Sequence, residues 1–115
     1  MSWLRFATLC SCLTVVPVFA QVQLSIATGG TGGVYYPFGG GLATIINDQI
    51  AGHAATAEVT GGSVENMALI ATGDADMAIA LGDTVVQART GTGRFEGQQL
   101  GMLRGLAWTG ERPGG

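Results

Sequence analysis

QVQLSIATGGTGGVYYPFGGGLATIINDQI, residues 21–50, is the stretch that decides the fold. Its first eight residues alternate Val22, Leu24 and Ile26 with polar or small neighbours, the period of two that marks a strand. That strand runs straight into the glycine-rich turn at 29–33. Residues 34–50 then place Phe38, Leu42, Ile45, Ile46 and Ile50 at helical spacing. Pro37 suits the first turn of this helix, where a missing N–H costs nothing. Three consecutive glycines at 39–41 cost up to about 1 kcal/mol each relative to alanine inside a helix. Their presence implies that another element or a ligand approaches the backbone closely there.

Toward the C-terminus the same alternation repeats. AATAEVT (54–60) reads as a second strand, and Gly61-Gly62-Ser63 as a turn. Ser63 is expected to N-cap a helix over 64–72, with Glu65 complementing the dipole in its first turn. DMAIAL (76–81) is a near-continuous apolar run, as in a strand buried on both faces of a parallel sheet. Asp83 is expected to cap a third helix over 84–89 that stops at Gly91, and 102–108 is expected to form a fourth strand. Residues 91–97, GTGRFEG, read as an exposed loop. Strand and helix alternating in this way give an α/β fold, a parallel sheet with flanking helices and right-handed crossovers.

Toward the N-terminus, residues 1–20 read as a cleavable export signal. Arg5 supplies the positive start, 6–19 is apolar and uncharged, and Val18-Phe19-Ala20 offers small residues at the −3 and −1 positions of a cleavage site. The run is shorter than the roughly 20 residues a membrane-spanning helix needs. A buried N-terminal helix is the bland alternative. Cys10 and Cys12 both lie inside this segment, so the expected mature chain has no cysteine and needs no disulfide. The expected location is the periplasm, with no membrane span after cleavage.

Composition narrows the function. At 47% hydrophobic and 11% charged residues, the chain is too apolar for a disordered one. Its 115 residues suffice for one small domain. Every cation is an arginine, which excludes a P-loop and Schiff-base chemistry, both of which require lysine. A net charge of −3, falling to −4 without the leader (four arginines against eight acids), argues against a nucleic-acid partner.

The helix starts near Gly33, Ser63 and Asp83 all follow the carboxyl ends of strands, the edge along which open α/β sheets bind ligands. Double glycines before the first two expose backbone N–H groups, and a dipole's positive end favours a carboxylate or phosphate. The expected ligand is therefore an anion; the alternative is that the glycines only permit tight turns. The turn at 29–33 lacks the dinucleotide spacing, because Tyr35 stands where a glycine is required. Tyr35 and Tyr36 place two amphipathic rings beside this edge, one or both of which could instead belong to the core. Asp83 could receive an ammonium group. Catalytic and metal constellations are thin. His53 is the one histidine and is expected to face solvent, Ser63 has no histidine at a suggestive spacing, and Asp74 and Asp76 read as solvated turn acids. No cofactor, no metal and no enzymatic activity are expected.

Three blocks, IATGGTGGVYYPFGGGLATIIN (26–47), AEVTGGSVENMALIATGDADMAIA (57–80) and GTGRFEGQQLGMLRGLA (91–107), resemble the TAXI family, the solute-binding subunits of TRAP transporters. The resemblance implies the first lobe of a type II periplasmic-binding-protein-like fold, closing on a small organic anion such as a glutamate-like amino acid, a 2-oxoacid or a dicarboxylate. It implies delivery to membrane subunits of a TRAP transporter driven by an ion gradient. Carried over by position, the implied ligand-binding residues are Gly32, Gly33, Tyr35, Tyr36, Gly62, Ser63 and Asn66, with Asp83 a further candidate.

Such receptors have two lobes, and the expectation from length is one lobe at 21–108 followed by a divergent tail at 109–115, as in a truncated receptor. A ligand-sensing domain for a membrane signalling protein and a non-functional gene fragment are the competing readings. A hydrolase fragment would need a Gly-x-Ser-x-Gly elbow, and 61–65 lacks its final glycine.

Overall fold

The computed structural model describes residues 15–109. Most of the expected leader, with Cys10 and Cys12, and all but the first residue of the expected tail lie outside them. Residues 15–20 carry no regular structure and are exposed.

The elements run β1 (Val22–Ala27), α1 (Tyr35–Gln49), β2 (His53–Glu58), α2 (Ser63–Thr72), β3 (Met77–Ala78) and α3 (Gly82–Thr90), then a 3-10 turn at Gly93–Phe95. The sheet is parallel throughout in the order β2-β1-β3. Register runs from Val22 opposite His53 to Ala27 opposite Glu58, and Ile26 pairs with Met77. The α/β parallel sheet expected from the alternating pattern is therefore the observed fold.

The chain steps from β1 out to β2, then back across β1 to β3. With right-handed crossovers, those opposite steps place α1 and α2 on opposite faces of the sheet. The buried clusters follow that division. Ile26 and Ala55 pack with Ala43 and Ile46 of α1, while Met67 of α2 packs with Ala88, Phe95 and Leu103. Full burial of Ile26 contributes about 1.5–3 kcal/mol. Its neighbours Ser25 and Ala27 turn to the α2 side, as the period of two requires.

Of the three glycines at 39–41, only one has a packing reason. A Cβ on Gly39 would run into Thr28 Cγ2 and lie 3.5 Å from Ile79 Cδ1, whereas Gly40 and Gly41 face open space. Gly39 is thus where α1 crosses the end of the central strand.

Three expectations are corrected. Residues 102–108 form no strand: Leu103 is drawn into the cluster with Phe95, Arg104 Nη1 donates to Gly101 O (2.9 Å) and Leu103 O (3.0 Å), and Trp108 reaches α3. Local packing overrides the strand pattern there. Ser63 is the first residue of α2 and not its cap, which is Gly62. Asp83 likewise sits inside α3 behind the cap Leu81, and its Oδ1 accepts from Thr84 N–H at 2.7 Å.

Candidate functional site

The connections at 28–34, 59–62 and 79–81 leave the carboxyl ends of the three strands and enter the amino ends of the three helices, so all lie along one sheet edge. The first intrahelical bond of each helix defines which donors remain. Phe38 N–H donates to Val34 O (3.3 Å), Asn66 N–H to Gly62 O (2.9 Å) and Val85 N–H to Leu81 O (3.1 Å). The N–H groups of Tyr35, Tyr36, Ser63, Val64, Glu65, Gly82 and Asp83 precede these bonds and belong to the positive helix ends. Their number and common edge suit an anionic group.

Ser63 links two of the three connections. Its Oγ accepts the N–H of Leu81 at 2.9 Å and lies 3.4 Å from the Tyr35 hydroxyl. The Tyr35 ring is half-buried with its Cβ and Cδ2 against Gly29, so the phenol is held along the turn with its polar end at Ser63. Tyr36 is also half-buried, and Gly32 and Gly33 are exposed in the turn that Gly33 N–H closes on Gly30 O at 3.0 Å. Ser63→Ala leaves the Leu81 N–H without its acceptor. The expected loss is about 1 kcal/mol of unfolding free energy in a urea titration; an unchanged midpoint would show that the bond contributes nothing.

Asn66 has a different position. It is fully buried, and its Nδ2 donates to Thr28 O (2.6 Å) and Ile79 O (2.7 Å), with Ala27 O at 3.4 Å. Its Oδ1 accepts from Thr60 Oγ1 at 2.6 Å. One amide therefore ties together the connections after all three strands. With no exposed surface, this side chain stands behind the edge and braces it from within.

Gly62 N–H is engaged by Thr60 Oγ1 (3.2 Å) and Gly61 N–H by Glu65 Oε2 (2.7 Å). Glu65 thus partly neutralises the α2 end from its outer side. A cavity of about 470 Å³ lies on that side, lined by Ser25, Ala27, Glu58, Glu65 and Asp74 among others. Three carboxylates around it would repel an anion, which separates it from the donor edge.

The remaining polar residues fall away from the edge. His53 opens β2 at the opposite end of the sheet, half-buried, with Nδ1 3.1 Å from Ala51 O. Asp76 is exposed in the bend before β3, as expected of a turn acid, and it also accepts Ser25 N–H at 2.8 Å and extends the join between β1 and β3. Among the described residues no group of three or more His, Cys, Asp and Glu side chains could hold a metal ion. No helix there is long and apolar enough to cross a membrane.

Sequence reasoning missed the Ser63–Leu81 bond, which depends on a contact between two helices' starts, and it missed Trp108. Trp108 Cζ3 would lie 2.8 Å from a Cβ on Gly82, placing the indole against the start of α3. Its assignment to a strand hid that position.

One comparison bears on identity. The sequence model described as the NMT1-like family matches residues 26–109, from the end of β1 through the segment after α3.

Proposed function

The chain belongs to the NMT1-like family, a family of periplasmic binding proteins, and from that premise we propose that it is the solute-binding subunit of a TAXI-type TRAP transporter. It captures a small organic anion, a glutamate-like amino acid or a 2-oxoacid or dicarboxylate, for uptake driven by an ion gradient. It binds and does not transform its ligand. Export through the leader at residues 1–20 delivers it to the periplasm, where the loaded form meets the membrane subunits of the transporter.

The observation that carries this reading is the set of helix-end N–H groups gathered on one sheet edge, with Ser63 joining Tyr35 to Leu81. The ligand's carboxylate sits against the starts of α1, α2 and α3. Gly32 and Gly33 leave the backbone accessible, Gly62 lets the chain enter α2 closely, and Tyr35, Tyr36 and Ser63 supply side-chain contacts. Asp83 receives an ammonium group where the ligand has one. Asn66 acts through the connections that it ties together.

Isothermal titration of the full chain with glutamate, glutamine, 2-oxoglutarate and other small dicarboxylates tests this. Saturable heat is expected, weakened about fivefold by Ser63→Ala, the equivalent of one hydrogen bond. A folded, monomeric chain that gives no heat across the panel would overturn the assignment.

A further inference from the structure

α1 is apolar on the side that faces water as well as on the side that faces the sheet. Its buried face is made of Gly39, Ala43 and Ile46. On the outer side Val34, Phe38 and Ile45 are 77%, 52% and 60% exposed. Gly41 stands between the last two with open space before it. The steps from 34 to 38, 41 and 45 alternate four and three residues, so at 3.6 residues per turn all four positions fall within about 60° of arc. That is the spacing of a helix–helix seam. A helix whose outer side meets only water carries polar residues there. Single exposed hydrophobics need no explanation, but three in line along one helix do. Gly41 adds a second sign of contact. Thr28 requires the glycine at 39, whereas nothing in this chain approaches Gly41, and a glycine inside a helix costs about 1 kcal/mol relative to alanine. The missing Cβ lets a second backbone come close.

Independently of the ligand reading, we propose that this stripe is the interface of a weak two-fold dimer, in which α1 packs antiparallel on α1 of a second copy. Three observations select a second copy. Phe38 and Ile45 stand three and four residues to either side of Gly41, so a two-fold axis beside Gly41 sets Phe38 of each copy against Ile45 of the other and the two glycines face to face. The chain carries a net charge of −3, so two copies repel except through an uncharged surface, and residues 34–47 contain no charged side chain. The one charge on α1 is Asp48. Antiparallel packing sets it beside the first turn of the facing helix, the positive end of that dipole; parallel packing would bring the two Asp48 carboxylates together. The area available sets the strength. α1 has 15 residues, which gives a face about 22 Å long and about 10 Å wide. That is well below the roughly 800 Å² that each partner contributes to a standard interface, so the dissociation constant is on the order of 10 μM.

Sedimentation equilibrium of the full chain, from about 1 to about 100 μM, tests this and is expected to show a reversible monomer–dimer equilibrium. Ile45→Glu, at an exposed position, should leave the urea midpoint unchanged and weaken association about tenfold or more. Cross-linking reads the orientation. In a Cys10→Ser/Cys12→Ser background, Gly41→Cys is expected to form an oxidised dimer across the axis. Asp48→Cys should form none, because its two copies lie about 20 Å apart along antiparallel helices. A chain that stays monomeric throughout overturns the inference. So does an association that Ile45→Glu leaves unchanged, which would place the contact on another surface such as the leader, and so does cross-linking of equal yield at positions 41 and 48. None of these results bears on the receptor assignment.

Discussion

Asn66→Asp is expected to lower the unfolding free energy by about 3–5 kcal/mol, although it changes the side chain's volume hardly at all. The amide donates to Thr28 O at 2.6 Å and Ile79 O at 2.7 Å inside a fully buried setting. A carboxylate has no proton for either acceptor and turns an oxygen toward them. Each buried polar group left without a partner costs about 1–3 kcal/mol, and a buried charge without a cation adds to that. For a domain with a typical stability of about 5–15 kcal/mol, this is a large fraction of the total. Because the substitution is isosteric, cavity formation cannot account for a loss. Urea unfolding of the full chain provides the measurement, with Asn66→Ala alongside. A drop of less than about 1 kcal/mol for both variants would show that the three connections hold together without the brace.

The same bonds explain why the donor edge has a defined shape. Thr28 follows β1, Thr60 follows β2 and Ile79 follows β3, and the amide of Asn66 meets all three. Thr28 Oγ1 also donates to Glu58 O at 2.6 Å, and Thr60 N–H to Gly29 O at 3.3 Å, so the first two connections are joined a second time. The helix-end donors are thus held in fixed positions, and under the proposed function this pre-positioning would lower the ordering cost of binding.

Much of this was legible in the residues because it depends on local periodicity. The alternation of Val22, Leu24 and Ile26, the apolar spacing from Phe38 to Ile50 and the glycine turns define β1, α1 and the sheet's parallel order without knowledge of any contact. What was not legible depends on partners distant in sequence. Ser63 has the residue type of an N-cap, but Gly62 takes that position and frees the hydroxyl for Leu81, 18 residues away. Asn66 sits in the second turn of α2 among residues that look like a ligand motif, and only the packing of α2 over the sheet reveals that its amide points inward. The 102–108 segment has a strand's composition, yet Leu103 is buried with Ala88 and Phe95 and Trp108 rests against Gly82 while staying exposed, whereas the β3 edge offers only two paired residues.

Gly39→Ala is expected to destabilise the chain by about 1–2 kcal/mol, against the direction of helix propensity. In an open helix position the change would stabilise by up to about 1 kcal/mol, as is expected at Gly41, which faces open space. At position 39 the new methyl meets Thr28 Cγ2, and Thr28 has no room to retreat because it is fully buried and bound through Oγ1 to Glu58 O. Overpacking of this kind costs about 1–3 kcal/mol, which outweighs the propensity gain. Thr28→Ser removes the obstructing methyl and retains the hydroxyl, so the pair forms a double-mutant cycle. Thr28→Ser alone is expected to lose about 1 kcal/mol for the deleted methyl. Combined with Gly39→Ala it should restore the parent stability to within about 0.5 kcal/mol, a coupling of about 2 kcal/mol between residues in contact. Additive losses in the cycle would mean that α1 shifts to accept the methyl, and that the close crossing of α1 over the end of β1 is not what requires glycine at position 39.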